Sequence, residues 1–357
     1  MSTNTTYADR IGRAGLALVS LANMLFLAVF IAALLFAAGR VAADDAPACH
    51  GSDMLAAFAA DKPQVMAEIR AQADKVPNGK GLLWRIEHEG AKPSWLFGTM
   101  HMSDPRVLKL PQAAQAAFDA AGTMVIETTD ILDQAKMTAA LMARPELMMF
   151  TDATTLSSLL PPEDKAMVEQ ELERRGIALE SVQKMQPWML SALVNMPACE
   201  LARKAQGAPL LDMNLAQEAQ KAGKELAGLE TMADQLEAMA SLPMDFHLRG
   251  LVETLRLGDR MEDVMETMVR IYLAGDTGMF RPFFEAVVPS DGEEGEEGYA
   301  AFQEKMIDAR NETMADGAAA LIEKGNAFIA VGALHLAGEH GLVELLRQRG
   351  FRVEPAG

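Results

Sequence analysis

The sequence predicts an α/β fold, a central mixed β-sheet with flanking helices and a large all-α insertion, preceded by an N-terminal hydrophobic helix. Short apolar runs of strand length, among them Trp95–Phe97 and Ala327–Val331, alternate with longer segments of helical spacing, as strands and crossover helices do. Between 131 and 225 the stop signals Pro161-Pro162, Gly176, Pro187, Pro197 and Gly207 divide the chain into short helices.

At the N-terminus, Ala14 to Ala38 holds 25 residues without a charge, enough to cross a bilayer core. Arg10 and Arg13 precede it, so the positive-inside tendency keeps the first residues in the cytoplasm and exports the chain beyond Arg40. Val41-Ala42-Ala43 fits a cleavage site, but the apolar run exceeds the roughly 7–15 residues of a signal peptide, and Arg40 interrupts the region. Residues 1–43 are thus a transmembrane anchor or a signal sequence, with the anchor favoured, and 44–357 form the exported part. In an oxidising compartment Cys49 and Cys199 could pair; two unrelated buried thiols are the alternative.

The formal net charge of -18 excludes a phosphate-tracking surface, since nucleic-acid binders need a basic stripe. Met54 to Ala71 reads as a helical preface closed by Pro77-Asn78-Gly79. Leu82–Glu87 reads as a strand, His88-Glu89-Gly90 as a solvated turn, and Pro93–Phe97 as a second strand antiparallel to the first. Pro111–Ala121 is an alanine-rich helix, and Thr123–Glu127 a third strand ending in a carboxylate.

Residues 131–225 and 231–325 are mostly helical. Within them, Asp212 reads as the N-cap of a helix over Met213–Ala222. Lys224–Glu230 reads as a fourth strand, with Glu230 either a site carboxylate or a complement to the dipole of the helix Thr231–Ala240. Helices continue over Phe246–Leu257 and Glu262–Leu273, with His247 structural. Asp291–Gly298 reads as a solvated acidic loop, and Tyr299–Lys324 as a long helix carrying Arg310 and Asn311. Ala327–Val331 is the fifth strand, Leu342–Arg349 a helix, and Phe351–Glu354 a closing strand. The 25 methionines read as adaptable packing.

Gly98-Thr99-Met100-His101 and Gly332-Ala333-Leu334-His335 repeat one pattern: an apolar run, then Gly-x-x-His. With 27 Gly and 6 His in 357 positions, roughly half of one such spacing arises by chance, so the pattern alone is weak. Context strengthens it, because ligands bind beyond the carboxyl ends of strands in open α/β sheets. If the strands deliver their terminal residues to one rim, His101, His335 and Glu127 converge, with Glu230 and His340 near. Two imidazoles and a carboxylate form the ligand set of a hydrolytic or Lewis-acid metal site with open positions. His340 comes five residues after His335 and does not stack on it, so it reads as an outer or surface residue. Other nucleophilic schemes lack support: there is neither a Gly-x-Ser-x-Gly elbow nor a His-Glu-x-x-His helix.

The blocks LLWRIEHEGAKPSWLFGTMHMSDPRVLKLP, GLETMADQLEAM, ARNETM and FIAVGALHLAGEHGLVELLRQRGFRVEP together resemble the TraB/GumN family, also called TraB/PrgY, over about residues 48–355. That family is similar in core pattern to the TIKI proteins, membrane-tethered metallopeptidases needing manganese or cobalt, and more remotely to erythromycin esterases and ChaN haem-related proteins. The resemblance implies that His101, His335 and Glu127 hold a divalent metal, Mn²⁺ or Co²⁺ in preference and Zn²⁺ as a further candidate. It also places Glu230, Arg310 and Asn311 with Glu127 among the catalytic positions, Arg310 holding a substrate carboxylate or steadying Glu127; the alternative is that Arg310 and Asn311 cap and pack a helix. The function expected is an extracytoplasmic, metal-dependent, peptidase-like hydrolase acting on a peptide or protein. The alternative is a non-catalytic binding or regulatory protein that sequesters a peptide or a haem-like ligand. A polysaccharide-related role rests on the family name alone.

Overall fold

Six strands form one sheet: β1 (Leu83–Glu87), β2 (Ser94–Thr99), β3 (Thr123–Ile126), β4 (Glu225–Gly228), β5 (Ala327–Gly332) and β6 (Arg352–Pro355), in the spatial order β4-β3-β5-β2-β1-β6. The computed structural model describes residues 49–288 and 293–356. The hydrophobic segment at 14–38 and its candidate cleavage region lie outside them. Among the described residues no helix is long and apolar enough to cross a membrane.

The four strands β4, β3, β5 and β2 run parallel, while β1 is antiparallel to both β2 and β6. Parallel strands are buried on both faces, and side chains alternate between them. Phe97, Met124, Ile126, Phe328 and Ala330 pack on one face with residues of helices Pro63–Ala73, Gln112–Ala120, Leu211–Lys221 and Arg260–Leu273. Leu96, Val125, Ile329 and Val331 pack on the other with helices Ala309–Lys324 and Leu342–Gln348. Short helices between Leu156 and Val194, with Met244–Leu257, enclose a separate core around Leu172, Leu190 and Leu251.

Parallel register decides where the strand ends fall. Thr99 is level with Gly332, and Ile126 with Ala330 and Gly228. The carboxyl ends of β2, β5, β3 and β4 therefore share one edge of the sheet.

Several elements differ from the sequence reading. The helical preface is two helices, Met54–Asp61 and Pro63–Ala73, because Pro63 removes a backbone donor and turns Lys62 out of helical geometry (φ -137°, ψ 60°). The acidic stretch expected as a loop enters a helix at Glu293, which runs to Phe302. That helix continues through a π-helical segment, Gln303–Asp308, into Ala309–Lys324, so the single helix expected over 299–324 is longer and contains a wider turn. The fourth strand stops at Gly228, leaving Glu230 beyond it.

Cys49 and Cys199 form a disulfide with their Cα atoms 5.3 Å apart. Beside Cys199, the buried Glu200 accepts the backbone N–H of Ser103 and pairs with Arg203 at 2.9 Å. The disulfide-linked helix Ala198–Ala205 thus holds the segment just after β2.

Candidate functional site

Glu127 comes directly after β3 and is 7% exposed. Its Oε1 accepts the Gly332 N–H at 2.7 Å, and its Oε2 accepts Gln235 Nε2 at 3.0 Å and Arg310 Nη2 at 2.9 Å. Burial works against the charge, but the neighbouring imidazoles, Arg310 and the Gly332 N–H hold the carboxyl down at about 2. The Glu127 carbonyl accepts the N–H groups of Leu229 and Glu230, which fixes the turn after β4 against the end of β3.

Arg310, its side chain 13% exposed, bridges two carboxylates. Its Nε donates to Glu230 Oε2 at 3.0 Å and Oε1 at 3.3 Å while its Nη2 holds Glu127. Its Nη1 donates to the Met306 carbonyl within the π-helical segment. Of the roles open from sequence, the contact with Glu127 is the one these hydrogen bonds express. Glu230 makes none of the capping hydrogen bonds of the helix after it. Thr231 caps that helix, in a reciprocal pair of hydrogen bonds with Asp234, and the Glu230 side chain is only 2% exposed against Arg310.

His335 is buried and lies in the short turn Ala333–His335 after β5. Its Nδ1 is 2.7 Å from Asn311 Oδ1, and Asn311 Nδ2 donates to the His340 carbonyl at 2.7 Å. With the Asn311 amide so oriented, its oxygen must accept, which puts the His335 proton on Nδ1 and leaves Nε2 with its lone pair. Burial pushes this histidine down to about 4, so it is neutral at ordinary pH. His340 contributes its backbone oxygen; its side chain is exposed.

His101 stands two residues past β2. Its Nε2 lies 3.9 Å from Glu127 Oε1, and its Nδ1 lies 2.7 Å from Asp212 Oδ2. Asp212 is therefore not the helix cap expected from sequence. It is the second residue of the helix Leu211–Lys221, and its Oδ1 accepts the Thr99 hydroxyl at 2.6 Å. Partial desolvation against the rim disfavours the charged ring, but the Asp212 charge and hydrogen bond, with Glu127, outweigh it and raise His101 to about 9.

The three predicted groups meet at Gly332. A Cβ placed there would lie 3.3 Å from Glu127 Oε1, 3.5 Å from His335 Cδ2 and 3.8 Å from His101 Nε2. Gly98 is needed for packing, since a Cβ would come within 2.6 Å of Leu336 and 3.1 Å of Ala333. Sequence reasoning gives no site role to Thr99, Asp212 or Gln235. Gln235 sits inside the GLETMADQLEAM block and Thr99 inside Gly-x-x-His, so proximity to a motif is their signal. Asp212 has none.

The donor chemistry suits a divalent ion, because both imidazoles have Nδ1 engaged by an acceptor and an ionised carboxylate stands between them. As placed, no three His, Cys, Asp or Glu side chains among the described residues are grouped to hold one.

A mixed sheet whose parallel strands gather two histidines and a buried glutamate at their shared carboxyl edge defines an α/β protein with its ionisable residues on one rim. The TraB/PrgY/gumN family model matches residues 82–355, and the chain belongs to this family. It is similar to the metalloprotease TIKI2 of Danio rerio, 25% identical over 338 residues that cover 80% of this chain and 64% of that protein. It is also similar to the metalloprotease TIKI1 of Homo sapiens, 25% identical over 336 residues that cover 81% and 64%. The chain thus spans less than two thirds of the length of these relatives. No solved structure matches it.

Proposed function

We propose that this protein is an extracytoplasmic, divalent-metal-dependent hydrolase acting on peptides, held at the membrane by residues 14–38 or released if that segment is cleaved. The observation that carries the reading is the meeting of His101, His335 and Glu127 around Gly332, each histidine with its Nδ1 already engaged. The names of the metalloprotease relatives add to it.

In this reading His101, His335 and Glu127 hold the ion, Mn²⁺ or Co²⁺ in preference to Zn²⁺. When bound, it supplies Lewis acidity and lowers the pKa of water.

The other residues act through position. Arg310, oriented by Glu230, holds Oε2 of Glu127 and leaves Oε1 beside the His101 ring. Asn311 keeps the His335 lone pair on Nε2.

Metal analysis of the full-length protein and of His101→Ala and His335→Ala, with turnover of a peptide library, tests the proposal. Retention of metal and cleavage by the wild type, both lost in the variants, is expected. Metal retained without cleavage points to a sequestering protein, and no retention ends the metal reading.

A further inference from the structure

The His101 side chain is 57% exposed, so packing does little to fix its ring. Asp212 is 5% exposed and committed on both oxygens, to the Thr99 hydroxyl at 2.6 Å and to His101 Nδ1 at 2.7 Å. Its anchors are firm. Thr99 ends a central strand at 2% exposure, and the Leu211 N–H donates to the Met102 carbonyl, tying the start of the Asp212 helix to the segment that carries His101. A carboxylate placed only to complement a helix dipole would face solvent at the helix end. This one is buried and reaches across 111 positions of sequence.

We infer that Asp212 is a positioning residue which, held by Thr99, keeps a proton on His101 Nδ1 and so presents Nε2 toward Glu127. An ionised carboxylate only accepts, so the ring nitrogen facing it must carry hydrogen. That leaves Nε2 as the donor atom, and a carboxylate behind an imidazole raises its basicity as a ligand. The two histidines are then unequal, one backed by a charge and the other by the neutral Asn311 amide. What Nε2 serves rests on the metal reading above; the orientation does not.

Two measurements on the full-length protein separate the points. The ¹⁵N imidazole spectrum of the metal-free protein at pH 10, with His101→Gln for assignment, reports the tautomer directly. Nδ1–H in the wild type and its loss in Asp212→Ala are expected; Nε2–H in the wild type overturns the inference. Co²⁺ titration with visible absorption gives the second reading. Asp212→Ala is expected to bind Co²⁺ about 10- to 100-fold more weakly with altered bands, and Asp212→Asn less so, since its amide oxygen can still accept. Where the wild type binds Co²⁺, equal affinity in Asp212→Ala also overturns it. If Asp212→Ala does not fold, Thr99→Val, which removes one anchor and keeps the volume, replaces it: weaker Co²⁺ binding with Nδ1–H kept is expected, and unchanged Co²⁺ affinity overturns the part given to Thr99. A wild type that shows the Nδ1 tautomer but binds no Co²⁺ supports the role of Asp212 and refutes the metal reading.

Discussion

The backbone N–H of Gly332 donates to Oε1 of Glu127 at 2.7 Å, joining the carboxyl ends of neighbouring parallel strands through one side chain. Gly332 has φ -51° and ψ 135°, which alanine adopts without strain. A methyl group there would stand 3.3 Å from Glu127 Oε1 and 3.8 Å from His101 Nε2. Gly332→Ala is therefore expected to weaken metal binding by roughly tenfold or more while the fold is kept. Calorimetric titration with Co²⁺ beside a thermal melt checks this; unchanged affinity would show that the ion does not sit by Gly332.

Metal uptake should depend on pH through His101. In the metal-free protein this ring is raised to about 9, whereas His335 at about 4 and Glu127 at about 2 have already lost their protons near neutrality. Between pH 6 and 9 a bound ion must displace one proton, so affinity is expected to rise about tenfold per pH unit and level off above 9. Proton release in weakly buffered solution measures the stoichiometry directly.

Arg310 neutralises two buried carboxylates from a position only 13% exposed. Arg310→Ala leaves both uncompensated and is expected to cost about 3–5 kcal/mol of stability. Arg310→Lys should not restore it, because one ammonium cannot reproduce the fork that spans Glu127 and Glu230. Urea unfolding of the three proteins distinguishes these outcomes.

His247 is buried, and its Nε2 has no hydrogen-bond partner. Burial lowers its pKa, with a hydrogen bond to the Met239 backbone acting the other way. The folded state therefore binds fewer protons at this site than the unfolded one. Its contribution to stability is present above the unfolded value, near 6.5, and is lost as pH falls below it toward the folded value. Comparing His247→Leu with wild type in denaturant between pH 7.5 and 5 should show a shallower acid loss in the variant.

Strand and site are legible in the chain for one reason: short apolar runs closed by glycine mark where parallel strands end, and the rim collects whatever comes next. His101 and His335 emerge on that ground, Glu127 as the carboxylate that ends an apolar run without a glycine, and Glu230, Arg310 and Asn311 by resemblance. Asp212 does not, because a helix-start aspartate looks the same whether it caps its own backbone or reaches a histidine 111 residues away. The break at Pro63 has a readable cause in the proline, but apolar spacing continues across it and masks the division. The π-helical segment before Arg310 leaves no mark in composition, because its one wide turn only shifts the phase of the helical pattern.

Cys49 and Cys199 enclose the whole run that supplies His101 and Glu127, whereas Glu230, Arg310, Asn311 and His335 lie after it. A protease that nicks the exposed stretch around Met142 to Glu146 would split the rim into two polypeptides stapled by one sulfur bridge. On a gel without reductant such a cut protein would migrate as one species. Its two halves could stay docked along β3 and β5, so loss of covalent continuity there need not mean loss of the site.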